Sequence, residues 1–317
     1  MDYSQILSQQ FNIKEEYAKN IITLLDDGNT IPFIARYRKE MHGSMDDQLI
    51  REFAEKLEYL RGLDKRRDEI RSLIDAQEKL TDEINLALDK AVTLSELEDI
   101  YRPYRPKRKT RASIAKEKGL EPLANDILKQ EKGFDPSKSA VDYIDEEKGV
   151  TSVEDAIQGA MDIIAELVSD NAEIRKRIRN LTNANGVLVS VATDEEKDSV
   201  YKNYYDYKEP VKKIAGHRVL AVNRGEKEGF LKVSVETDSE KPLNSIFRAM
   251  ITDKNQLCSD IIREACTDAY QRLIYPSIER EVRNDLTDTA SENAMKVFAV
   301  NLKQLLMQPP VKGKTVL

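Results

Sequence analysis

The chain has 317 residues, 34% of them charged and 6% aromatic, with no tryptophan and a formal net charge of −7. Such a length allows two or three packed units, and abundant Glu, Lys, Leu and Ala point to a mainly α protein built as an elongated multi-helix scaffold with long, solvated helices rather than one thick core. No apolar run approaches the roughly 18 residues that a bilayer crossing needs, and MDYSQILSQQF lacks the basic-then-apolar order of a secretion signal, so the expectation is a cytoplasmic chain with no membrane partner.

Asn12 and Glu15 read as a capping pair for a first helix carrying Tyr17, Ile21 and Leu24 on one face and ending at Gly28. In TIPFIARYRKE, Pro32 takes a first helical position, and Arg36, Arg38 and Lys39 follow a short apolar turn. Short helices with tight turns fit a helix-turn-helix-like start and a plain helical cap equally well, because spacing alone does not put a helix into a groove. A long helix over about 46–76 places Leu49, Phe53, Leu57, Leu60, Leu63 and Ile70 on one face and charge on the other. Thr81 caps a helix to Val92, and Ser95 opens a short one reaching Tyr101.

The next stretch, IYRPYRPKRKTRASIAKEKGL, breaks with the acidic bulk. Between Tyr101 and Lys118 it holds eight Lys or Arg against one acid, Glu117. Pro103 and Pro106 push Arg102 and Arg105 towards extended geometry, which predicts a surface loop up to Thr110 and a helix from there to Gly119. Clustered cations reward a nucleic-acid backbone whatever the protein's total charge, and tyrosines can stack on unpaired bases. Arg102, Tyr104, Arg105, Lys107, Arg108, Lys109 and Arg111 are therefore the candidate nucleic-acid-binding residues. Equally open is an internal salt-bridge net in which these cations pair with carboxylates of neighbouring helices.

Pro122 begins a helix to about Gln130, Ser152 caps one to Ser169, and another runs from Asp170 to about Asn183. At Gly186 the character changes: GVLVSVA has the β-branched run of a strand, and Arg218–Val222 with Phe230–Glu236 read as two strands of a hairpin. A helix from Asp260 is expected to break at Tyr275–Pro276 and resume from Ser277 to about Leu306. The organisation is thus a helical region over 1–185, a small α/β insert with a hairpin over 186–255, a long helical segment over 256–308, and a final 309–317 whose KTVL looks like an opening strand.

Catalytic chemistry is hard to assemble. His42 and His217 lack convincing partners, and Cys258 and Cys266 would lie about 12 Å apart along one helix, too far for a disulfide. VKGKT has the tail of a phosphate loop, but Gln308 stands where the leading glycine belongs and a helix precedes it. DEEKDS fails as a calcium loop because Ser199 and Tyr205 occupy the glycine and bidentate-glutamate positions. Asp46-Asp47 and Asp145-Glu146-Glu147 read as a helix start and a solvated turn. The expectation is a protein that is not an enzyme and uses no cofactor or metal.

Four segments, TIPFIARYRKEMHGSMDD, LEDIYRPYRPKRKTRASIAKEKGLEPLA, YPSIEREVR and LLMQPPVKGKTVL, together resemble the Tex family of bacterial transcription accessory proteins, over its N-terminal half. Met45-Asp46-Asp47 and Arg102 depart from the family pattern, the latter replacing a leucine. The resemblance implies a helical scaffold followed by an RNase H-like domain, helix-hairpin-helix motifs and an OB-fold RNA-binding domain, with 309–317 as the start of the truncated RNase H-like domain. It implies a role in transcription with weak RNA or DNA binding by this region. The alternative is a module docking RNA polymerase or other transcription proteins without touching nucleic acid.

Overall fold

The computed structural model describes residues 2–106, 108–252, 254–308 and 313. They divide into two compact units, Met1–Arg105 and Pro106–Leu317. The fold is predominantly α-helical with one small antiparallel sheet, the class that the sequence predicts. Lys107 and most of 309–317, including the opening strand expected at KTVL, lie outside the described residues.

The first unit contains α1 (Tyr3–Phe11), α2 (Glu15–Asp26), α3 (Ile31–Tyr37), α4 (Lys39–His42), α5 (Asp47–Asp75), α6 (Asp82–Lys90) and α7 (Leu94–Tyr101). Asp2 caps α1 by accepting from the amides of Ser4 and Gln5. Asn12 does not cap α2 as expected: it ends α1 in the left-handed region at φ 51°, a conformation asparagine tolerates well, and Lys14 precedes α2 without a side-chain cap. Asp46 caps α5, accepting from the Leu49 amide at 2.8 Å.

The buried stripe of α5 serves two cores in succession. Ile50, Phe53, Leu57 and Leu60 pack with Leu7, Ile21 and Ile34, whereas Leu63, Ile70 and Ile74 pack with Leu88, Leu97 and Tyr101. Arg67 lies on the same stripe and is buried. It donates to the carbonyls of Leu88 and Ala91, both at 2.9 Å, and pairs with Asp64, so its charge is compensated and it anchors the end of α6 to α5.

The second unit contains α8 (Arg111–Glu117), α9 (Glu121–Lys129), α10 (Pro136–Ala140), α11 (Val153–Asp170), α12 (Ala172–Asn185), β1 (Val187–Ala192), β2 (Asp206–Pro210), α13 (Gly216–Lys227), β3 (Leu231–Glu236), α14 (Glu240–Met250), α15 (Gln256–Asp268) and α16 (Tyr275–Leu306). Ala156, Ala160, Ile164 and Val168 of α11 share a core with Ile262, Ala265 and Cys266 of α15 and with Ala112, Ala115 and Leu123 from α8 and α9.

The sheet differs from the expected hairpin. Its order is β2-β1-β3, both pairings are antiparallel, and Val189 stands opposite Lys208 on one side and Ser234 on the other. The stretch Arg218–Val222, expected as a strand, belongs to α13, where Val219, Val222 and Gly225 are buried at intervals of three. Its four-residue apolar run carries no period long enough to separate strand from helix. Gly216 makes room for the crossing with α16, since a Cβ there would stand 3.2 Å from the Ala290 Cα.

Side chains close the outer edge of β3. Glu226 and Glu279 accept from the amides of Val233 and Val235, each at 3.2 Å, while Arg283 and the Tyr275 hydroxyl donate to the carbonyls of the same residues at 3.1 and 2.9 Å. Arg283 also bonds Glu226 and Asn223, so one guanidinium ties α16 to α13 and β3 and blunts an edge that would otherwise invite another strand.

The expected break at Tyr275–Pro276 is absent. A π-helical turn over Ala269–Ile274 leads into α16, and this wider turn accommodates a proline that lacks an N–H and crowds the carbonyl four residues back. Ile278, Val282 and Ala290 of α16 are buried, but every residue from Glu292 to Leu306 is exposed, Phe298 by 66% and Leu305 by 61%. Helical hydrogen bonds without tertiary burial open readily. Hydrogen exchange is therefore expected to be slow at 278–290 and at least about tenfold faster at 295–304; equal protection along α16 would contradict this packing.

Candidate nucleic-acid interface

The basic segment crosses the division between the units, so its two halves are described separately. In the first unit α7 ends at Tyr101, which is buried, and Arg102–Tyr104 form a 3-10 turn. Arg102 has φ −52° and ψ −44°, a correction to the extended geometry expected ahead of Pro103. The turn is closed by the Arg105 amide, which donates to the Tyr101 carbonyl at 3.1 Å. Burial of Tyr101 and packing of Tyr104 on the same core favour this compact form over the proline's local preference.

Arg102 and Tyr104 are half-buried, so the Tyr104 ring is partly occupied by its own core. Arg105 is extended as expected and exposed, yet it donates to Glu98 at 2.8 Å. Arg66 donates to the other oxygen of Glu98 at 2.7 Å. Both guanidinium groups lie 5.8 Å from the centre of the Tyr101 ring, so one carboxylate and one aromatic ring hold two cations.

In the second unit Thr110 and Ser113 form a capping box that starts α8, where the sequence predicts a helix. Arg108 is exposed and, among the described residues, has no hydrogen-bond or ion-pair partner. Lys109 pairs with Glu117 at 3.4 Å and Lys116 with Glu121 at 3.2 Å, all four side chains being well exposed. Lys118 donates to the Gly149 carbonyl at 2.7 Å. Exposed pairs of this kind stabilise by only about 0–1 kcal/mol, so a phosphate can displace them cheaply. Arg111, exposed at the start of α8, acts electrostatically on Asp162 of α11, which also lies 3.8 Å from Arg272. Of the seven sequence-predicted residues, Lys107 lies outside the described ones, Arg105 is held by Glu98, and Arg108 has no charge partner among the described residues.

The groups considered for catalysis or metal binding have other occupations. His42 is buried with Nε2 3.1 Å from the Ile34 carbonyl, and His217 is exposed in the first turn of α13 rather than at the start of a strand. Asp145 accepts from the amides of Glu147 and Lys148 in a turn. Cys258 and Cys266 are buried free thiols, and burial pushes the Cys266 thiol up to about 12. Among the described residues no group of three or more His, Cys, Asp or Glu is arranged to hold a metal, and no helix is long and apolar enough to cross a membrane.

These features define a mainly helical scaffold module with a small, edge-protected sheet and cationic surface segments. Residues 1–75 match the Tex-like protein N-terminal domain and residues 131–298 the Tex central region-like family. The chain is 45% identical over 324 residues to the uncharacterized protein YdcI of Bacillus subtilis, covering 100% of this chain and 45% of that protein. It is 36% identical to the transcriptional accessory protein Tex of Neisseria gonorrhoeae over 328 residues, covering 100% and 42%, and 31% identical to the human S1 RNA-binding domain-containing protein 1 over 334 residues, covering 100% and 33%. The chain belongs to the Tex family of transcription accessory proteins, and it spans less than half the length of these relatives.

Burial raises the Asp162 carboxyl above its ordinary range against the opposing pull of Arg111 and Arg272. The folded chain thus binds this proton more tightly than the unfolded chain, and the stability it confers is full below the ordinary carboxylate range and lost as pH rises through the raised value. Asp162→Asn, which imitates the protonated form, is expected to melt above wild type at about pH 7, with the gap closing towards about pH 4. A gap equal at both values, read by thermal melting, would contradict the assignment.

Proposed function

We propose that this chain is a non-catalytic scaffold region of a Tex-like transcription accessory protein that contributes contacts to RNA or DNA during transcription. The observation that carries the reading is Arg108, an exposed guanidinium with no partner among the described residues, flanked by Lys109 and Arg111, whose compensation is weak or distant. Phosphate oxygens would be received by Arg108, Lys109 and Arg111, with Lys107 adding charge from the same stretch; in the other unit Arg105 could exchange Glu98 for phosphate. Arg102 and Tyr104 contribute mainly by shaping the turn that presents Arg105. The names of two relatives, a transcriptional accessory protein and an S1 RNA-binding domain-containing protein, support the same class of partner. Binding by this segment alone is weak, because Arg105, Lys109, Lys116 and Lys118 already have partners that a phosphate must replace.

A second reading, a module docking RNA polymerase or another transcription protein, is favoured by one observation: Met295, Val297, Phe298, Val300, Leu305 and Leu306 are all exposed on α16. Capture of transcription proteins by the chain after nuclease treatment, lost on Phe298→Glu, would support that role.

The nucleic-acid reading is tested with labelled single-stranded RNA and DNA at two salt concentrations. A variant with Arg105, Lys107, Arg108, Lys109 and Arg111 all changed to Gln is expected to bind roughly tenfold or more weakly and with a shallower salt dependence, each lost phosphate contact lowering the slope by about 0.7 on single strands. Equal affinity and equal slope would remove this segment from the interface.

A further inference from the structure

A cationic cluster with an exposed aromatic ring lies at the corner between α3 and α4. Tyr37 closes α3 with 64% of its surface exposed, the highest exposure of any large aromatic in the first unit. Its ring stands 5.4 Å from that of Phe33, one turn earlier, and the Arg38 guanidinium lies 5.2 Å over Phe33 while donating to the Tyr37 carbonyl at 3.3 Å. Two rings tilted by 43° and a guanidinium are thereby clustered at the corner. Arg36 and Lys39, which flank Tyr37 and Arg38 in the chain, are both exposed. Unlike Arg105 and Lys109, none of Arg36, Arg38 and Lys39 pairs with a carboxylate among the described residues, and Glu40 is the sole acid between Thr30 and His42.

The corner is held in place from beneath. Ile34 is fully buried, its carbonyl bonded to the buried His42 imidazole at 3.1 Å, and Asn20 of α2 donates to the Met41 carbonyl at 3.0 Å. The chain then turns at Gly43, where φ is +66° and the Tyr17 ring approaches so closely that a Cβ would stand 2.7 Å from it. A pre-organised platform loses little conformational freedom on binding.

We propose that this corner is a second binding surface for single-stranded nucleic acid, with Tyr37 offering its ring to an unpaired base and Arg36, Arg38 and Lys39 receiving the flanking phosphates. An exposed ring beside uncompensated guanidinium groups selects an unpaired strand, because the bases of a duplex have no free face to stack. An acidic polypeptide would satisfy the cations but leave the ring without a partner. The surface stands on its own observations and does not depend on the basic segment around Arg108.

The chain contains no tryptophan, so Tyr37→Trp places a single indole at the platform while keeping an aromatic face. Adding an oligouridine of about ten nucleotides to this variant is expected to quench and saturate the indole emission, since base–aromatic stacking operates at contact distance. In the full chain with the five cations of the basic segment already neutralised, Tyr37→Ala is expected to weaken the remaining oligouridine binding roughly fivefold to a hundredfold, and Arg36→Gln with Lys39→Gln to lower its salt dependence. Unchanged melting of Tyr37→Trp serves as the folding control for an exposed position. An indole unmoved at saturating oligouridine, tighter binding of duplex than of single strand, or displacement by polyglutamate with no effect of Tyr37→Ala would each overturn the proposal. Complete loss of oligouridine binding in the basic-segment variant would also overturn the proposal, whereas a partial loss bears on the other surface only.

Discussion

One carboxylate, that of Glu98, is divided between Arg66 and Arg105 beside the buried Tyr101 ring, and this sharing governs what the cationic surface has left to offer. A chain with 57 acidic and 50 basic side chains can pair part of its cationic surface internally, as the Arg66, Arg105 and Lys109 pairs show. A polyanion then finds purchase only where the fold leaves a cation without a mate or with a weakly held one. Arg67 marks one extreme, buried and bonded to two carbonyls and Asp64; Arg108 marks the other. Between them Lys109 and Lys116 keep exposed partners that a phosphate can replace.

Much of the fold was legible because its signals are local. Thr81 and Ser152 cap the helices expected of them, the helices expected from Asp46 and Thr110 begin there, and the single face of α5 follows directly from its apolar spacing. The signals are ambiguous where one residue type serves two ends: asparagine caps a helix start and also tolerates the left-handed turn, and Asn12 does the second. The strand β2 escaped notice because DYKEP is a charged edge with little to bury, whereas the apolar Val219–Val222 that looked like a strand belongs to a helix. Pro276 suggested a break that the wide π turn absorbs.

The candidate site was legible in composition but not in its bookkeeping of charge. Glu98 lies seven residues from Arg105, and Arg66 a further 32 from Glu98, so their meeting depends on how α5 and α7 pack. Conversely, Arg36, Arg38 and Lys39 are plain in the sequence, but their freedom from carboxylates emerges only when the neighbours are known. A dense run of charge thus turned out partly compensated, and a shorter one uncompensated. The shorter one also carries the more exposed tyrosine, since Tyr104 packs on its own core while Tyr37 does not.

The central claim is that uncompensated cations, rather than the densest run of cations, mark where this scaffold meets nucleic acid. Photo-crosslinking of 4-thiouridine-substituted RNA to the intact chain, followed by peptide mass spectrometry, tests it most directly. Adducts are expected on the peptides containing Tyr37 and Arg108. Adducts confined to the sheet region, or spread evenly over every lysine- and arginine-bearing peptide, would contradict it.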